Sequence, residues 1–99
     1  MFGLPQNTIT EVQAIFTKYP SIEEVIIYGS RAKGDYKKGS DIDLTLKGSV
    51  ANAELSNIID ELDESYIPYL FDVSIYNLLQ SDSLKEHINS VGKVFYKKE

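Results

Sequence analysis

At 99 residues the chain is sized for one domain, residues 1–99, and 42% hydrophobic with 25% charged residues is ordinary for a globular fold. The absence of cysteine excludes a disulfide scaffold, a thiol nucleophile and thiolate zinc sites, and a single histidine, His87, excludes a multi-histidine metal site. Fifteen acidic against ten basic residues give a net charge of −5, which argues against broad, non-specific nucleic-acid binding.

In chain order, Met1 to Pro5 shows no basic segment leading into an apolar stretch. No apolar run approaches the roughly 18 residues of a membrane span, so the expected setting is the cytoplasm. Thr8-Ile9-Thr10-Glu11 has capping-box spacing, which starts a helix at Thr8. Its apolar period runs through Ile9, Val12, Phe16 and Tyr19, and Pro20 ends it. Glu23 to Tyr28 reads as a strand, with β-branched Val25, Ile26 and Ile27 leading into Gly29. Asp41 to Leu46 alternates cleanly: Ile42, Leu44 and Leu46 point one way, Asp41, Asp43 and Thr45 the other. The short segment between these strands favours an antiparallel pair.

Gly48-Ser49 breaks the second strand, with Ser49 placed as an N-cap. Leu55, Ile58, Ile59, Leu62 and Tyr66 form the stripe of a long helix. Tyr69 to Tyr76 reads as a third strand, with Phe71, Val73 and Ile75 on one face and Leu70, Asp72, Ser74 and Tyr76 on the other. A last helix from about Asp82 carries Leu84, Ile88 and Val91, with Gly92 placed as its C′ residue. Val94 to Tyr96 can close the sheet as a short strand. The order predicts an α/β (α+β) fold, a single mixed sheet covered by helices.

The polar residues of these strands carry the chemistry. Asp41 and Asp43 share a face, and Asp72 sits inside an apolar strand, where a carboxylate has no packing role. If strands two and three are neighbours, Asp72 stands beside Asp43. Carboxylates about 5 Å apart repel by about 3 kcal/mol per pair at an effective dielectric near 20, which calls for a cation between them. All-carboxylate ligation selects Mg²⁺, with Mn²⁺ as an alternative. Ahead of Asp41, Ser30-Arg31-Ala32-Lys33-Gly34 can make a short helical turn whose free N–H groups, with the Ser30 hydroxyl, would hold phosphate. Gly29 lets a ligand approach the backbone closely. Arg31, the only arginine, lies with Lys33, Lys37 and Lys38 in a cationic patch, and Arg31 and Lys33 would assist phosphate binding. Metal and phosphate sites side by side describe metal-assisted phosphoryl or nucleotidyl transfer. Lys38-Gly39-Ser40 has the composition of a Walker motif without its order, so a P-loop is rejected. His87, one turn from Leu84, reads as a surface or partner-facing residue.

Gly29-Ser30, ten residues, then Asp41-Ile42-Asp43 resembles the signature of the DNA-polymerase-β-type nucleotidyltransferase superfamily. The fuller string, with Asp72 as third carboxylate, is similar to the minimal nucleotidyltransferase (MNT) group. Lys33 departs from it, standing where the family often has arginine. The resemblance implies that Asp41 and Asp43 bridge two metal ions and that Asp72 completes the site of the ion activating the acceptor. It implies that Gly29 and Ser30 bind the β- and γ-phosphates of ATP or another NTP. It further implies a HEPN-domain protein as partner, adenylylated on a hydroxyl by an MNT antitoxin, in a homo- or hetero-oligomer.

A rival reading is a binding module that neutralises or scaffolds such a partner without catalysis. Transfer to a small molecule, as in antibiotic-modifying members, needs a further domain to hold the acceptor. Because the sheet, its helices and the site take up nearly all 99 residues, the expected acceptor is a partner protein.

Overall fold

A computed structural model describes residues 2–37 and 40–99. In chain order the elements are α1 (Gln6–Thr17), β1 (Ile22–Tyr28), α2 (Ser30–Lys33), β2 (Ile42–Gly48), α3 (Asn52–Glu64), β3 (Phe71–Ile75), a 3₁₀ turn (Tyr76–Leu78), α4 (Asp82–Val91) and β4 (Lys93–Lys97). The four strands form one mixed sheet in the order β3-β2-β1-β4. β1 is antiparallel to both β2 and β4, and β2 is parallel to β3. This is the expected α+β architecture. Among the described residues no helix is long and apolar enough to cross a membrane.

Strand alternation divides the sheet into two unlike faces. Val25 and Ile27 of β1 and Ile42, Leu44 and Leu46 of β2 are fully buried. Ile9, Val12 and Phe16 of α1, Ile58 and Leu62 of α3, and Phe95 of β4 join them in one cluster. The opposite face has a smaller cluster, in which Ile26 and Tyr28 pack with Ile88 of α4. Burial of β-branched and leucine side chains on one continuous surface supplies the main folding drive.

Element ends differ from the sequence reading in ways that local physics explains. α1 begins at Gln6, because Pro5 presets the backbone and its carbonyl accepts the Ile9 N–H at 3.1 Å. Thr8 is consequently a buried helical residue, and its capping box is unused. The helix stops at Thr17, and a turn through Lys18 and Tyr19 precedes Pro20. α3 is capped at Ala51, whose N–H donates to Glu54 Oε1 at 3.1 Å, so Ser49 lies outside the cap. Because α3 ends at Glu64, Tyr66 falls off the helical stripe, with φ 60° and 96% exposure. Ile59 also leaves the core face.

β3 is shorter than the expected Tyr69 to Tyr76 strand. Leu70 contributes its carbonyl to Ile42 N–H at 2.9 Å, and Tyr76 already begins the 3₁₀ turn. α4 starts as expected, with Ser81 Oγ accepting the Leu84 N–H at 3.2 Å. Gly92 is not left-handed; its φ is −64°. It is glycine for space, since a Cβ there would collide with the Ile88 carbonyl and the Ile26 side chain.

Candidate active site

The site lies where β1 ends and where β2 and β3 begin. In the parallel β2–β3 ladder Asp43 is registered beside Asp72, and in the antiparallel β1–β2 ladder it faces Tyr28. Neighbouring positions on one sheet face have Cβ atoms about 5 Å apart, so the two carboxylates stand side by side. Asp41, one residue ahead of β2, shares their face and is exposed, as is Asp72, whereas Asp43 is half-buried. Burial is the largest cause that raises the Asp43 pKa above its ordinary value, followed by the charges of Asp72 and Asp41. The charges of Asp72 and Asp41 therefore reach the Asp43 carboxylate.

Among the described residues no three His, Cys, Asp or Glu side chains close around a ready-made metal cage. The carboxylates instead form an open, one-sided row of oxygen donors. That donor set fits Mg²⁺, which keeps several ligands from water and phosphate.

Across from this row, Gly29 turns the chain with φ 77° and ψ −155°, a region essentially confined to glycine. Space demands glycine as well, since a Cβ at this position would collide with the Asp43 carboxylate. The Gly29 turn and the carboxylate row are thus in direct contact. α2 follows, and its first internal bond is made by Lys33 N–H to the Gly29 carbonyl at 3.1 Å. The N–H groups of Ser30, Arg31 and Ala32 precede that bond and carry no helical partner. Gly34, with φ 86°, closes the turn.

Arg31 occupies a different place from the one its charge suggested. It is 3% exposed. Nε and Nη2 donate to the Ser40 carbonyl at 3.1 and 2.9 Å, and Nη1 donates to the Phe2 carbonyl at 2.9 Å. The rings of Tyr36 and Tyr69 stand 5.3 and 5.0 Å from the guanidinium carbon. With every guanidinium nitrogen engaged, Arg31 ties Ser40 to Phe2 from inside the fold rather than standing free at the surface. Lys33 is exposed and 3.7 Å from Asp35. Lys37 is exposed; Lys38 and Gly39 lie outside the described residues.

Behind the acids, Ser74 Oγ donates to the fully buried Thr45 Oγ1 at 3.0 Å. Burial raises the Tyr28 pKa; the Ser74 side chain opposes the rise, and the charges of Asp72 and Asp43 add to it. His87 reaches this group from α4. Its ring meets Tyr28 edge-on at 6.2 Å between centroids, and its charge acts on Asp43 against the neighbouring acids. Sequence reasoning left His87 at the surface because an amphipathic helix does not disclose which strand end it crosses. The groove between α1 and β4, lined by Gln13, Ala14, Thr17 and Tyr96, lies apart from all these residues.

The family model for polymerase beta nucleotidyltransferases matches residues 10–99. No curated protein matches the sequence. A toxin–antitoxin structure with AMP-PNP superposes with a TM-score of 0.73 at 18% identity, over 97% of this chain and 76% of that one. The MntA–HepT toxin–antitoxin structure gives 0.71 at 14% identity, over 95% and 74%. A tri-AMPylated Shewanella oneidensis HEPN toxin in complex with MNT antitoxin gives 0.66 at 17%, over 99% and 74%. At these identities the likeness is one of fold.

Proposed function

The chain belongs to the polymerase beta nucleotidyltransferase family, and on that premise we propose that it transfers a nucleoside monophosphate from ATP or another NTP to a hydroxyl of a partner protein. The partner we propose is a HEPN-domain toxin, for which this chain is the adenylylating antitoxin. One observation carries the reading: the Gly29 turn abuts the Asp43 carboxylate, which is itself registered beside Asp72. Phosphate-binding backbone and metal-binding oxygens are thereby adjacent. The AMP-PNP and AMPylated-toxin structures of the same fold support the choice of nucleotide and partner.

In this reading Gly29 and Ser30 hold the β- and γ-phosphates, and Lys33 turns from its exposed pair with Asp35 toward them. Asp41, Asp43 and Asp72 would hold Mg²⁺ through their carboxylate oxygens, Asp43 half-buried and the other two exposed. When bound, Mg²⁺ supplies neutralisation of phosphate charge and a more acidic acceptor hydroxyl. The acceptor oxygen forms a bond to the α-phosphorus as the α–β bridging bond breaks. Pyrophosphate leaves, and Asp72 assists removal of the hydroxyl proton. Arg31 keeps the loop bearing Asp41 in place.

The test incubates the chain with Mg²⁺, α-labelled ATP and a HEPN-domain protein encoded beside it. Label is expected on the partner, and Asp43→Asn should lower its rate by at least about 10²-fold, the scale of one preorganised electrostatic contact. Absence of label with wild type, or equal labelling by Asp43→Asn, overturns the reading. Partner neutralisation that persists fully in Asp43→Asn would instead identify a binding module.

A further inference from the structure

We propose that His87 is a phosphate-contacting residue of the nucleotide site. The inference rests on the nucleotidyl-transfer reading and adds a residue to it. A triphosphate beside three carboxylates needs hydrogen-bond donors as well as metal ions. The obvious donor, Arg31, is buried with all three of its nitrogens engaged by the Ser40 and Phe2 carbonyls. Lys33 stands near the end of α2, against Asp35. Among the described residues, the imidazole on α4 offers a further N–H donor beside Tyr28.

Its placement is specific. Tyr28, the residue His87 stacks against, faces Asp43 in the ladder and directly precedes Gly29. The imidazole thus stands at the junction between the carboxylate row and the phosphate turn. It is half-buried, and among the described residues no hydrogen bond engages either ring nitrogen. No buried side-chain nitrogen or oxygen among the described residues lacks a partner, so the ring nitrogens of this half-buried residue are open to solvent. Held edge-on against Tyr28, with neither ring nitrogen hydrogen-bonded within the described residues, His87 donates a ring N–H to a nucleotide phosphate oxygen.

The experiment measures equilibrium binding of Mg²⁺·AMP-PNP to the full chain, with thermal unfolding of the ligand-free protein in parallel. His87→Ala should weaken binding about tenfold or more, the scale of a hydrogen bond to a charged group. His87→Gln, which retains an N–H donor, should recover most of that loss. With ATP as substrate, His87→Ala should raise KM more than it lowers kcat. Unchanged AMP-PNP affinity in His87→Ala overturns the inference, as does His87→Gln binding no better than His87→Ala. Wild-type protein that does not bind Mg²⁺·AMP-PNP overturns the nucleotidyl-transfer reading itself, whereas wild-type binding with an indifferent His87→Ala overturns only the role of His87.

Discussion

Beneath α1 and α3, Val25, Ile27, Ile42, Leu44 and Leu46 have no measurable exposure, while on the α4 side the same strands present Tyr28, Asp43 and Thr45. Odd and even residues of one strand therefore serve different ends. The first face gains stability from close packing of branched side chains. The second gathers like charges that oppose one another and retains only Ile26, Tyr28 and Ile88 as a small buried cluster. Stability is concentrated on one side of a sheet a single layer thick, which lets the other side tolerate an acidic row. Local conflict of this kind is characteristic of functional sites.

The sharpest way to break that comparison is to exchange damage between the faces. Leu44→Ala should cost about 3–4 kcal/mol of stability in urea unfolding, since its side chain is fully enclosed and leaves a cavity. Its sequence neighbour on the other face should behave in the opposite sense. The folded chain holds the Asp43 proton more tightly than the unfolded chain does, so ionisation of Asp43 opposes folding. That cost is absent below the unfolded carboxylate's ordinary value of 3.8 and is fully present once pH exceeds the raised folded value. In metal-free buffer at pH 7, Asp43→Asn should therefore unfold at a higher temperature than wild type, by less than about 1 kcal/mol after solvent screening. Below pH 3.8 the difference should vanish. An Asp43→Asn variant less stable than wild type at neutral pH would contradict the picture of a strained face.

The smallest effect belongs to the periphery of the apolar side. Lys18 Nζ donates to Glu61 Oε1 at 2.7 Å, and Tyr19 Oη donates to the same carboxylate, tying the end of α1 to α3. Hydrogen bonds from Lys18 and then Tyr19 hold Glu61 below its ordinary range, while the bond to Glu61 pushes the Tyr19 phenol up to about 12. A depressed folded pKa gives stability that is present above the unfolded value of 4.5 and fades as pH falls through the folded one. Glu61→Gln should remove less than about 1 kcal/mol at pH 7 and nothing at pH 2, measured by thermal unfolding.

Alternation made the two faces legible in the sequence, including the neighbourhood of Asp43 and Asp72, because a strand's period is fixed by its backbone. Gly29-Ser30 was legible too, since its φ and its contact with Asp43 both demand glycine. Arg31 and His87 were not. The partners of Arg31 are backbone carbonyls 9 and 29 residues away, and those of His87 depend on how α4 crosses the end of β1. Neither depends on a side-chain pattern. The displaced ends of α1 and α3 have the same origin: Pro5 and Glu54 supplied caps where Thr8 and Ser49 had better local credentials.

Arg31 also bears on the entropy of ligand binding. By joining residues 2, 31 and 40 through one guanidinium, it closes two loops without a covalent bond. Ser40, directly ahead of Asp41, is thereby held by the fold itself. Ordering that would otherwise oppose association has already occurred during folding, so more of the contact energy that the proposed nucleotide would make at Gly29 and Ser30 is retained as affinity. A buried cation that touches no ligand can in this way strengthen the site through preorganisation.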